Sequence, residues 1–117
     1  MGKQENVIED YFKNQCKLNN ILTFKFISPS QRGVPDQIAL YGGVTYYVEL
    51  KAPNKTQSAQ QKLVMRKIRN AGCKYYLIDS KEGVNEFIKE IIQKGIKNDR
   101  RKNKDRKEIS KNRNSRT

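Results

Sequence analysis

Residues 33–51 read GVPDQIALYGGVTYYVELK, two runs rich in β-branched and aromatic side chains on either side of a glycine pair. A two-residue turn at Gly42-Gly43 suits the positive φ that tight hairpins demand, and it predicts strands over 34–41 and 44–51. If Tyr41 faces Val44, paired positions sum to 85 and Asp36 lies opposite Glu49. Facing residues share one side of a sheet. Alternation then gathers Thr45, Tyr47, Glu49 and Lys51 with Asp36, Ile38 and Leu40. One patch therefore holds two carboxylates and an ammonium. Like charges opposed across a sheet cost about 0.2–1 kcal/mol at the surface, which a divalent cation would offset. Mg²⁺ prefers oxygen ligands, takes one or two carboxylates and keeps several waters. The competing reading is structural: Asp36 as a post-proline turn residue, and Glu49 with Lys51 as an ordinary exposed strand pair.

Outward from the hairpin, residues 4–16 place Ile8, Tyr11, Phe12 and Cys16 at helical spacing, with acids near the start where the helix dipole favours them. Residues 21–28 read as a strand closed by the turn-forming Ser28-Pro29-Ser30-Gln31-Arg32-Gly33. After the break at Ala52-Pro53-Asn54-Lys55, residues 57–71 carry Gln61, Val64, Met65 and Ile68 on one stripe, with Gly72 as a stop. A strand over 74–79 and a helix over 82–93 complete the order α-β-β-β-α-β-α. No internal repeat is present.

Composition narrows the chemistry. The chain has 117 residues, enough for one small core, and 25 Lys and Arg against 12 Asp and Glu, a net charge of +13 that favours a polyanionic partner. Zero histidines remove Ser-His and Cys-His triads and His-ligated zinc, leaving carboxylates, lysines and a hard metal to carry any catalysis. Cys16 and Cys73 lack metal-ligand spacing and read as reduced thiols. Without a long apolar run or an apolar leader, the expected location is the cytoplasm, that of the host if the protein is viral, with no membrane partner. Residues 94–117 hold eleven Lys or Arg against three acids, +8 of the total, and are too polar to bury a core. The expected division is a folded domain over 1–93 and a basic tail over 94–117, disordered or a fraying helix.

Gly33-Val34-Pro35-Asp36, a gap of twelve residues and then Glu49-Leu50-Lys51 resemble the PD-(D/E)xK nuclease signature. More narrowly, the chain from about residue 5 to 88 is similar to the VRR-NUC domain in its stand-alone, virus-type form. The shared features are the initial helix, R-G-V-P-D, V-E-L-K-A-P, a helix glutamine and A-G before the last strand. The signature of a valine and two arginines that names the family has no literal match. The resemblance implies an α/β, three-layer restriction-endonuclease-like core with a mixed sheet, dependence on Mg²⁺ or Mn²⁺ without a small-molecule cofactor, and hydrolysis of DNA phosphodiesters. It matches Asp36 and Glu49 to metal-binding carboxylates, the Leu50 carbonyl to a further ligand, Lys51 to the lysine that positions or activates the attacking water, and Gln61 to the helix glutamine. Gln60 is the weaker alternative to Gln61. A glutamate on the first helix is also implied: Glu5 lies on the stripe of Ile8 and Phe12, and Glu9 competes with it.

Arg32 before the site and Lys55 beyond it are candidates for holding flanking phosphates. Similar stand-alone domains act as homodimers on four-way DNA junctions, and paired sites suit a two-fold symmetric junction. A homodimeric Holliday junction resolvase acting on branched DNA is therefore the leading expectation. The alternatives are a nuclease for flaps, ends or single strands, a non-catalytic basic DNA-binding module, and an RNA-binding protein that stacks bases on Tyr46, Tyr47, Tyr75 and Tyr76.

Overall fold

The computed structural model describes the backbone of residues 3–114 and the side chains of residues 6–97. Its elements are α1 (Lys3–Leu18), β1 (Leu22–Lys25), β2 (Gln37–Tyr41), β3 (Val44–Leu50), α2 (Ala59–Asn70), β4 (Lys74–Ile78) and α3 (Lys81–Asn114), the predicted order. The four strands form one mixed sheet in the order β1-β2-β3-β4. β1–β2 and β2–β3 are antiparallel, and β3–β4 is parallel. A parallel neighbour requires a crossover, and α2 supplies it.

Gly42 and Gly43 both take positive φ, 59° and 77°, and the hairpin closes with Tyr41 opposite Val44 in the expected register. β2 begins at Gln37, three residues later than the sequence suggests. Pro35 offers no amide hydrogen and Gly33 sits at φ 84°, so the chain from 33 to 36 runs as a loop into the strand. One ladder-like contact persists beyond β1, where the Phe26 amide donates to the Asp36 carbonyl at 2.8 Å.

Sheet alternation divides the molecule into layers. Ala39, Tyr46, Val48, Leu50 and Ile78 meet Ile8, Phe12 and Cys16 of α1 and Val84, Phe87, Ile88 and Ile91 of α3 in one core. Phe87 centres it, lying 4.9 Å from the Tyr76 ring and 5.9 Å from those of Tyr46 and Phe12. Such aromatic pairs add about 0.5–1.5 kcal/mol each beyond the area they bury. On the other side, α2 packs on β4. Its first turn is closed by a capping box: the Gln61 amide donates to Ser58 Oγ and the Ser58 amide to Gln61 Oε1. Gly72, at φ 85°, ends it with the amides of residues 72 and 73 turned back to the Arg69 and Ile68 carbonyls.

α3 continues past the predicted end at residue 93 as a single helix to Asn114, no proline interrupting its hydrogen-bond ladder. Its packing on the sheet also runs further than predicted. Gly95 is buried, and a β-carbon there would stand 2.8 Å from Tyr41 Cε2, so any side chain at this position would force the Tyr41 ring aside.

Candidate active site

Continuing the β2–β3 register one step past Gln37↔Val48 brings Asp36 alongside Glu49. The two are joined through the backbone: Asp36 Oδ2 accepts from the Leu50 amide at 3.0 Å. Glu49 is fully buried, at 0% exposure. Its Oε2 accepts from Gln57 Nε2 at 2.9 Å, and the same nitrogen donates to the Tyr75 hydroxyl at 3.1 Å. Glu49 Oε1 has no hydrogen-bonding partner among the described residues. A carboxyl oxygen hidden from water without a donor is costly, so this atom favours a positive partner.

Tyr75 belongs to the same face, since it pairs with Tyr47 in the parallel ladder and Glu49 pairs with Leu77 two residues on. Burial, and then the negative charges of Glu49 and Asp36, push its hydroxyl well above the ordinary tyrosine range. It therefore remains a neutral donor. That both carboxylates act on one hydroxyl agrees with their lying on a common face.

Over 80 residues the chain is 30% identical to "Putative nuclease p44" of Acyrthosiphon pisum secondary endosymbiont phage 1, a match covering 68% of this chain and 86% of that protein. Its fold superposes on a solved VRR_NUC domain with a TM-score of 0.70 and 23% identity, spanning 75% of this chain and 97% of that one. The chain belongs to the same family as this phage protein, and its fold is that of a VRR_NUC domain. No protein-family model matches the sequence.

Oxygen atoms gathered here that could coordinate a cation are those of the Asp36 carboxylate, Glu49 Oε1 and, by sequence, the Leu50 carbonyl. Among the described residues no three His, Cys, Asp or Glu side chains converge as a metal cluster. Two carboxylates with water completing the shell are nevertheless within what Mg²⁺ or Mn²⁺ accepts, and the orphaned Glu49 oxygen fits such a cation. Lys51 follows at the end of β3, half-buried, its amide donating to the Ile78 carbonyl at 2.9 Å.

The remaining predicted residues are distributed differently. The Glu5 side chain lies outside the described residues. Its competitor Glu9 is buried and accepts from Gln37 Nε2 at 3.4 Å and from Lys13 Nζ at 3.0 Å. Alternation points Gln37 away from Asp36, toward α1, so Glu9 is engaged on the opposite side of the sheet from Glu49. Gln61, expected to face the sheet, spends its carbonyl oxygen on the capping box. Gln60 donates to the Arg32 carbonyl at 3.4 Å, tying the R-G-V-P-D loop to α2. Arg32 and Lys55 are both exposed.

Gln57 and Tyr75 were not among the sequence candidates. The RNA-binding alternative takes Tyr75 as a base-stacking residue, a role that its burial does not suit. Tyr46 and Tyr76 pack on Phe87, and Tyr75 is buried beside Glu49. Both cysteines are free, Cys16 in the core and Cys73 at the surface. Among the described residues no helix is long and apolar enough to cross a membrane.

Proposed function

We propose that this VRR-NUC chain is a structure-specific DNA endonuclease that hydrolyses phosphodiester bonds with Mg²⁺ or Mn²⁺, and that it resolves four-way junctions as a homodimer. The observation that carries this reading is Glu49 Oε1, buried, without a donor among the described residues and beside a second carboxylate. A bound divalent ion would supply Lewis acidity and lower the pKa of a coordinated water. Asp36, Glu49 Oε1 and the Leu50 carbonyl would hold it. Lys51 would orient the attacking water and stabilise charge developing on the phosphoryl oxygens. Glu5, on the first turns of α1, is the proposed helix carboxylate. Gln61 retains its Nε2 for the substrate, while Arg32 and Lys55 would take flanking phosphates.

Homodimerisation is supported by the symmetry of the substrate: two equal sites cut opposed strands of a two-fold junction. The basic residues of 94–117 are proposed to add phosphate contacts. The test incubates the protein with labelled four-way junction, flap, single-stranded and duplex DNA, in Mg²⁺ and in EDTA, alongside D36A and K51A variants, with light scattering for mass. Mg²⁺-dependent paired nicks in the junction by a dimer are expected. Binding without cleavage would replace the enzyme reading with a DNA-binding module, and cleavage only of flaps or single strands would replace the junction.

A further inference from the structure

Glutamate has a broad terminal torsion, so a buried Glu49 does not by itself present either oxygen in a set direction. The surrounding contacts do. Gln57 Nε2 stands 2.9 Å from Oε2 and 3.1 Å from the Tyr75 hydroxyl oxygen, so its two hydrogens are used on two different elements. The amide orientation is forced, because the reverse would put a carbonyl oxygen against a carboxylate. Gln57 is itself held. It directly precedes Ser58, whose amide and side chain are both fixed in the capping box with Gln61. A chain of contacts thus runs from the first turn of α2 through Gln57 to one oxygen of Glu49, and the other oxygen has no donor among the described residues.

We propose that Gln57, braced by the Tyr75 hydroxyl, holds Glu49 Oε2 so that Oε1 is presented to the metal, which makes Gln57 a positioning residue for cation uptake. The proposal rests on the metal-dependent reading above. Hydrogen-bonding partners that orient a ligating carboxylate change metal affinity by roughly 10- to 100-fold when removed. The side-chain contacts of Gln57 are with Glu49 and Tyr75, so its effect is expected to pass through Glu49.

The test measures Mn²⁺ affinity of the full chain without DNA, by isothermal titration calorimetry and by the EPR signal of free Mn²⁺, for the unaltered protein, Q57L, Y75F and D36N. Junction cleavage is then followed across Mg²⁺ concentrations. A 10- to 100-fold weaker Mn²⁺ affinity is expected in Q57L and a roughly threefold to tenfold weaker one in Y75F. The Mg²⁺ concentration for half-maximal cleavage should rise in step, with KM for DNA and the rate at saturating Mg²⁺ little changed. If Q57L folds poorly, Y75F, which loses only a hydroxyl, carries the comparison. Mn²⁺ affinity in the folded variants equal to that of the unaltered protein would overturn the clamp alone. No Mn²⁺ uptake by the unaltered protein would overturn the clamp and the metal reading together.

Discussion

Asp36 Oδ2 accepts the Leu50 amide hydrogen at 3.0 Å, so the acid that follows Pro35 is bonded to the backbone between Glu49 and Lys51. The two halves of the nuclease signature are therefore one structural unit, and charge can be separated from hydrogen bonding within it. D36N keeps an acceptor for Leu50 and should melt within about 2 °C of the unaltered protein, yet lose at least about 100-fold in cleavage rate. D36A loses the acceptor as well, leaves the Leu50 amide unsatisfied and should cost a further 1–2 kcal/mol or so. Differential scanning fluorimetry with a junction-cleavage assay checks both. Cleavage by D36N at the unaltered rate would remove Asp36 from the chemistry.

Gln61 presents two separable functions. Its Oε1 closes the capping box on the Ser58 amide, and glutamate at this position caps equally well. Q61E should therefore keep its melting temperature, or gain slightly from the helix dipole, while cleavage falls about tenfold if Nε2 donates to substrate. S58A should lose about 1 kcal/mol through the cap. Unchanged cleavage by Q61E would confine Gln61 to capping.

Gly33 lies at φ 84°, and a β-carbon there would approach the Gln60 backbone carbon and oxygen at 2.8 Å. Neither atom can swing aside as a side chain would. G33A should cost on the order of 2 kcal/mol or more, from left-handed strain and the clash together. Because the same loop leads into Asp36, cleavage should decline even at temperatures where the variant is folded. Urea denaturation and an assay at 15 °C measure the two effects.

Burial pushes the Cys16 thiol from its ordinary 9.0 to about 12. A folded-state value above the unfolded one stabilises fully at lower pH and is lost as pH rises. From pH 9 the unfolded chain releases a proton that the folded chain retains, and stability falls toward pH 12. Between pH 9 and 10 the loss from Cys16 should be about 1 kcal/mol, added to a smaller one from Tyr75, whose raised value acts in the same direction as unfolded tyrosines begin to ionise. C16A should be less stable at pH 8, through its small cavity, but should lose stability less steeply over this range. Urea midpoints at pH 8, 9 and 10 decide it, and a parallel slope in C16A would refute it.

Much of the fold was legible because its signals are local. The glycine pair sets the turn, the period of two sets the faces, and Gly72 stops α2 at the expected place. The end of α3 was not legible. Low hydrophobicity at 94–117 argues against a packed segment, but Gly95 contacts Tyr41 through space, and that contact depends on how α3 crosses the sheet. Glu9 and Gln61 drew notice because each lies on or beside an apolar stripe. Glu9 Oε1 is engaged by Gln37 and Gln61 Oε1 by the Ser58 amide, partners that a stripe does not name.

From the residue order alone follow the hairpin, the pairing that sets Asp36 beside Glu49, and the oxygen-only character of a chain without histidine. These depend on neighbours in sequence and on backbone geometry that any such stretch would share. The parallel docking of β4 on β3 was decided in three dimensions, and with it the arrival of Tyr75 at Glu49 and the clamp completed by Gln57. Parallel strands meet only after the chain has crossed over, and their register is set by packing of α2 and α3, which no local pattern encodes.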